Sequence, residues 1–161
     1  MKSDSKLREH LVAVLRGSDA HVNFEKATAN LPVELYYVRP LCLSHTPWQL
    51  VEHMRIAQWD ILQFTIDPRH RSPEFPDGYW PQDGPPPDLR AWDRSITAFH
   101  IDMQAIIALV TDPKTDLFTP LPHGQGQTIL REVLLVADHN AYHLGQLVTV
   151  RKFLGAWDTQ T

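Results

Sequence analysis

The chain has 161 residues, a formal net charge of −4 with histidine neutral, 43% apolar and 21% charged residues. That is a length for about one globular domain, read as 1–161, and it excludes a disordered chain. The acidic balance without a basic stripe argues for no nucleic-acid partner, and a single cysteine, Cys42, excludes an internal disulfide framework or a Cys-rich zinc module. No run of about 18 apolar residues occurs and the N-terminus lacks the apolar core of a signal peptide, so the expectation is no membrane span and a cytoplasmic location.

Residues 5–16 read as a first helix, with Leu7, Leu11, Val14 and Leu15 on one stripe. Gly17-Ser18-Asp19 interrupts it, and helical spacing resumes through Val22, Phe24 and Ala27 to about Asn30. The spacing leaves open one broken helix or two. Thr46-Pro47-Trp48-Gln49 then carries a capping box with proline at the first helical position. The helix it starts, 47–65, places Leu50, Met54, Ala57, Ile61 and Phe64 on one face and ends at Asp67-Pro68.

Residues 66–88 hold seven prolines, and no helix crosses such a segment. Fully extended, this segment reaches about 75 Å, against about 30 Å for a 20-residue helix. It is long enough to traverse a bundle and start a parallel neighbour. Asp88 is the expected cap of the next helix, whose stripe runs Leu89, Trp92, Ile96, Phe99, Met103, Ile106, Val110 before Asp112-Pro113 stops it. A second connection, 111–127, contains His123-Gly124-Gln125-Gly126-Gln127, which lacks the Lys-Ser/Thr ending of a phosphate loop and reads as a turn. The last helix runs from about Thr128 to about Leu154, with Gly155 as its C′ residue. Four helices of bundle length without a strand signal give an all-α four-helix bundle.

Two polar residues, Asn140 and His143, interrupt the apolar stripe of the last helix, and His139 lies one turn before His143. Positions i and i+4 share a helix face, so both rings can reach one ion. With nine histidines, chance placement alone yields about half of one such pair. His53 lies among the apolar positions of the 47–65 helix and supplies a third imidazole. Three protein ligands with an open position form the catalytic pattern of metal sites; satisfied core histidines are the competing reading. Asp60, seven residues after His53, and Glu132, seven before His139, are candidates to orient an imidazole or act as a base. For Glu132 the alternative is a simple interaction with the helix dipole. Gln146, one turn after His143, is a candidate substrate contact. Tyr79-Trp80 reads as a clamp of the crossover or a cap on the pocket. Cys42 reads as a buried structural thiol, Tyr142 as packing, and His10, His21, His70 and His100 as surface residues.

The stretches His45–Asp60 and Ala137–Gln146, with the long crossover between the second and third helices, resemble the DinB/YfiT-like superfamily over roughly residues 20–157. The resemblance implies a bundle in up-down-down-up order and a divalent metal held by His53, His139 and His143. Many relatives carry a basic residue after the second histidine of the last helix, where this chain has Leu144. Three neutral imidazoles leave an ion its full charge, able to activate water for hydrolysis or the thiolate of a low-molecular-weight thiol for transfer. Imidazoles suit zinc or nickel first, with iron or manganese as alternatives. The chain is expected to be a homodimer, since an apolar helix face beyond the needs of the bundle would seek a partner. A ferritin-like di-iron site needs Glu-x-x-His pairs, and a zincin needs His-Glu-x-x-His; neither occurs. The rival from another class is a non-catalytic metal-binding or interaction bundle.

Overall fold

The computed structural model describes residues 2–17 and 20–157, the side chains from Asp4 onward. Five helices are present: α1 (Lys2–Arg16), α2 (Phe24–Thr28), α3 (Pro47–Ile66), α4 (Ala91–Thr111) and α5 (Ile129–Phe153). The described residues form no strand, only an isolated bridge between Pro120 and Thr128. None of these helices is long and apolar enough to cross a membrane.

The first region resolves into two helices. Gly17, at φ +62°, ends α1 in a conformation that β-carbon-bearing residues rarely adopt. The rest of the predicted break, Ser18 and Asp19, lies outside the described residues. Asn23 then caps α2 by accepting the Lys26 N–H. α2 is a single short segment whose Phe24 stacks on Phe99 of α4, ring centroids 3.7 Å apart.

α3 begins as its sequence requires. The Thr46 hydroxyl accepts the Gln49 N–H at 3.1 Å, and the Gln49 side chain accepts the Thr46 N–H at 3.0 Å. The box matters beyond α3: the Gln49 amide also donates to Asp83 of the crossover at 2.9 Å. α5 is capped by Thr128, which accepts the Arg131 N–H, and Gly155 (φ +68°) follows its last turn as expected.

α4 starts later than its apolar spacing suggests. Its first helical residue is Ala91, and Leu89 is 87% exposed. Asp88 is not its cap: the N-cap position is Arg90, which makes no side-chain cap bond, and the Asp88 carboxylate instead accepts the Arg90 N–H at 2.8 Å in the turn before the helix and binds the Arg94 guanidinium. The prolines at 85–87 lead the chain in from outside the bundle, so Leu89 falls before the core face opens. From Trp92 onward the stripe is followed, with Trp92, Phe99, Met103, Ile106 and Val110 buried.

The long helices share one core with α3 at its centre, packed on both α4 and α5, while α1 closes the opposite side of those two. Cross-helix bonds give the register. Between α3 and α4, Glu52 meets Ser95 and Gln58 meets Phe99, so numbers rise together. Between α3 and α5, His53 meets His143 and Gln58 meets Asn140, so numbers run oppositely. Arg8 of α1 donates to the Val110 and Asp112 carbonyls at the far end of α4.

Candidate metal centre

One helical turn separates His139 from His143 on α5, and their ring centroids lie 4.5 Å apart. α3 lays His53 against both. The His53 Nε2 is 3.1 Å from the His143 Nε2 and 3.1 Å from the His139 Nε2. One ligand atom from each ring thus falls within 4.8 Å of the others. His53 and His143 are each 7% exposed, and His139 is half-buried.

The outward-facing nitrogens determine what the inward ones carry. The His53 Nδ1–H donates to the Tyr79 carbonyl at 2.8 Å, an acceptor only, which makes Nδ1 the protonated nitrogen. The His143 Nδ1–H donates to the Gln146 Oε1 at 2.9 Å. Both inward Nε2 atoms therefore present lone pairs to each other at 3.1 Å, with no proton between them. Protonation does not relieve this at neutral pH. Burial, reinforced by the neighbouring imidazoles, lowers the His53 pKa to about 4 against a weaker opposing effect of the Tyr79 carbonyl. Burial likewise lowers His139 to about 4 and moves His143 downward.

Converging neutral nitrogens suit a divalent ion. An ion bonded at 2.0–2.1 Å to two imidazoles at a tetrahedral angle separates their nitrogens by about 3.3 Å, close to the 3.1 Å seen here. The donor set of three imidazoles and no protein carboxylate leaves room for a further ligand.

The crossover builds the wall beside His53. Trp80 stacks on the His53 ring at 3.7 Å with planes 3° apart, and on His45 at 4.1 Å. Tyr79-Trp80 is thus both clamp and cap. The segment is anchored by Asp60, whose carboxylate accepts the Tyr79 hydroxyl at 2.6 Å and the His70 Nε2–H at 2.7 Å. Burial and the Asp60 carboxylate push the Tyr79 pKa up to about 12. Asp60 therefore acts on His53 through Tyr79, whose hydroxyl it holds and whose carbonyl meets the imidazole.

Other expectations are corrected. His70 is not a surface residue: its side chain is 10% exposed, bonded to Asp60 and edge-on to Trp59. Cys42 is exposed, because residues 40–45 form an irregular rim and not a core segment. Tyr142 is 64% exposed, its ring edge-on to His143 with 4.9 Å between centroids, so it packs little. Glu132 is buried near the start of α5 and paired with Arg131 at 2.8 Å, two turns from His139. Gln146 holds His143 and also lines an open cavity of about 510 Å³ with Cys42, Ser44, His45, Tyr142 and Thr149. Leu144 is 4% exposed and part of the core, a place where an unpaired charge would be costly.

Two contributors, the Tyr79 carbonyl and Gln58, escape the sequence reading, and a third, Trp80, is named there without its ring contact. The Tyr79 carbonyl carries no signal, since every residue has one. Trp80 was named, but its stacking on His53 depends on the path of the crossover. Gln58 had a signal: it lies one turn after Met54, inside the helix face that the apolar residues define.

The family model of the DinB superfamily matches residues 17–147. No curated protein and no solved structure gave a match. The matched region contains His53, the crossover, His139 and His143, the residues that form the cluster. By this match over most of its length, the chain belongs to the DinB superfamily.

Proposed function

We propose that this chain is a divalent-metal-dependent enzyme in which His53, His139 and His143 hold the ion and an open position receives water or a thiol. The observation that carries the reading is the pair of inward lone pairs on His53 and His143, 3.1 Å apart and left without a proton by the bonds at Tyr79 and Gln146. A bound +2 ion on three neutral ligands supplies Lewis acidity, lowering the pKa of a coordinated water or thiol toward neutrality. Zinc or nickel fits the all-imidazole set best, and iron or manganese is an alternative.

The protein's own groups hold and shield. Tyr79 and Gln146 orient two of the rings, and Trp80 keeps solvent from the His53 face. The cavity beside Gln146 is lined by hydroxyl, thiol, amide, imidazole and apolar groups, without Asp, Glu, Lys or Arg. That lining suits a small uncharged organic substrate, with transfer to a low-molecular-weight thiol or hydrolysis as the reaction. The register of the helices supports an up-down-down-up bundle: α3 and α4 run in parallel, α3 against α5 runs oppositely, and so does α1 against α4, with Arg8 at Val110 and Val14 and Leu15 beside Phe99 and Met103.

The test is metal content by mass spectrometry on untagged protein beside His143→Ala. The reading expects about one divalent ion per chain, lost in the variant. Thiol-transfer and ester-hydrolysis screens with that ion then separate the two reactions. Absence of an ion in both proteins, even after reloading with zinc and nickel, overturns the metal reading. An ion without turnover of any thiol or ester substrate favours the non-catalytic bundle.

A further inference from the structure

Two buried side-chain polar atoms among the described residues have no hydrogen-bond partner: His139 Nδ1 and Asn140 Oδ1. They belong to adjacent residues of α5, one of them in the proposed ligand set. The orientation of Asn140 follows from a chain of bonds that starts on α4. The Phe99 carbonyl can only accept, and the Gln58 Nε2 donates to it at 2.7 Å. That turns the Gln58 oxygen toward Asn140, whose Nδ2 donates to it at 2.9 Å. With Nδ2 turned to Gln58, Oδ1 is the atom of Asn140 left without a partner. Gln58 is 1% exposed and Asn140 6%, so water does not readily replace these partners.

The imidazole of His139 has two neutral tautomers. With the proton on Nε2, it donates to the His53 Nε2 at 3.1 Å and leaves both Nδ1 and the Asn140 oxygen without a donor. With the proton on Nδ1, it offers that oxygen the donor it lacks and turns the Nε2 lone pair inward, as ion binding requires. The first tautomer leaves both orphan atoms unsatisfied, and a buried unpaired polar group is costly. The second gives the pair a donor and an acceptor, in exchange for the His139–His53 bond.

We propose that Gln58, acting through Asn140, selects the Nδ1–H tautomer of His139 and so primes the third ligand before an ion arrives. The inference rests on the metal reading for its purpose and on the Phe99–Gln58–Asn140 bonds for its mechanism. Gln58 and Asn140 are positioning residues, since neither offers an atom to the ion.

The direct test is the tautomer of His139 in the ion-free protein at neutral pH, read by long-range ¹H–¹⁵N correlation of the imidazoles. Wild type is expected to show Nδ1–H, and Asn140→Leu to shift His139 to Nε2–H. Wild type in the Nε2–H form overturns the proposal whatever the variants do. Zinc affinity by chelator competition is the second readout: Asn140→Leu and Gln58→Leu are expected to bind about 10–100-fold more weakly, and Asn140→Asp, which keeps the acceptor, to retain affinity. Unchanged affinity in Asn140→Leu overturns the proposal while the metal reading stands. A wild type that binds no zinc overturns the metal reading, and the tautomer is still decided by the spectrum. If the leucine variants do not fold, Asn140→Asp and the wild-type spectrum decide.

Discussion

His143 is oriented by a residue of its own helix, Gln146, three positions on, whereas His53 is oriented by a backbone carbonyl 26 positions downstream, in the crossover. The α5 half of the centre exists wherever α5 is helical, because the i, i+3 and i, i+4 offsets are properties of the helix. The α3 half exists only after the crossover has been laid back across the bundle and pinned by Asp60. The contrast teaches that one cluster can have a locally determined part and a part that depends on long-range closure, and the two parts should fail differently.

The largest expected effect removes a ligand from either half. His53→Ala should abolish stoichiometric zinc binding as fully as His143→Ala does, measured by metal mass spectrometry; a His53→Ala protein that kept its ion would confine the site to α5.

Next comes the anchor of the long-range half. Asp60→Asn weakens two bonds to a buried carboxylate and should cost about 2 kcal/mol of stability in urea unfolding. It should also weaken zinc binding, because the Tyr79 carbonyl loses its support. Equal zinc affinity in this variant would show that the crossover seats His53 without the Asp60 bonds.

Gln146→Leu should act in the opposite proportion. It removes an acceptor that, among the described residues, His143 alone uses, so zinc affinity should fall about 10-fold while stability changes by less than about 1 kcal/mol. If stability fell as far as in Asp60→Asn, the α5 half would not be as locally determined as its geometry implies.

The pH dependence spans both halves. His53 and His139 titrate near 4 in the folded state, below the ordinary imidazole value of about 6.5. Between these values the unfolded chain binds more protons, so the ion-free protein should be fully stabilised above about pH 6.5 and lose stability as pH falls toward 4. Urea midpoints at pH 7 and pH 5 check the sign. The smallest effect is expected at Tyr142, 64% exposed on the cavity rim: Tyr142→Ala should alter stability by less than about 0.5 kcal/mol.

Legibility in the sequence tracks the range of the interactions. The start of α3 was readable because a capping box is closed within four residues. The stripe of α4 was readable from Trp92 onward, and misjudged at Leu89 because helical spacing does not say where the core face begins. His139 and His143 were readable as a pair, and His53 as a histidine among apolar neighbours. His70 carries no sign of burial in the sequence, because its burial depends on Asp60, ten residues back on another element. For Cys42, residue type alone favours burial of the thiol, and the irregular rim at 40–45 overrides that preference.

By itself, the sequence determined the long helices, the caps of α3 and α5, the proline-rich interruption and the shared face of His139 and His143. All of these follow from backbone preferences and periodicity acting over a few residues. Only the tertiary structure decided that His53 closes the triad, that Trp80 covers it, and which nitrogen of each ring faces inward. Those outcomes depend on carbonyls and amides brought together across 26, 82 and 90 positions of chain, and no short-range pattern records which of many identical backbone groups a folded chain will bring to a given imidazole.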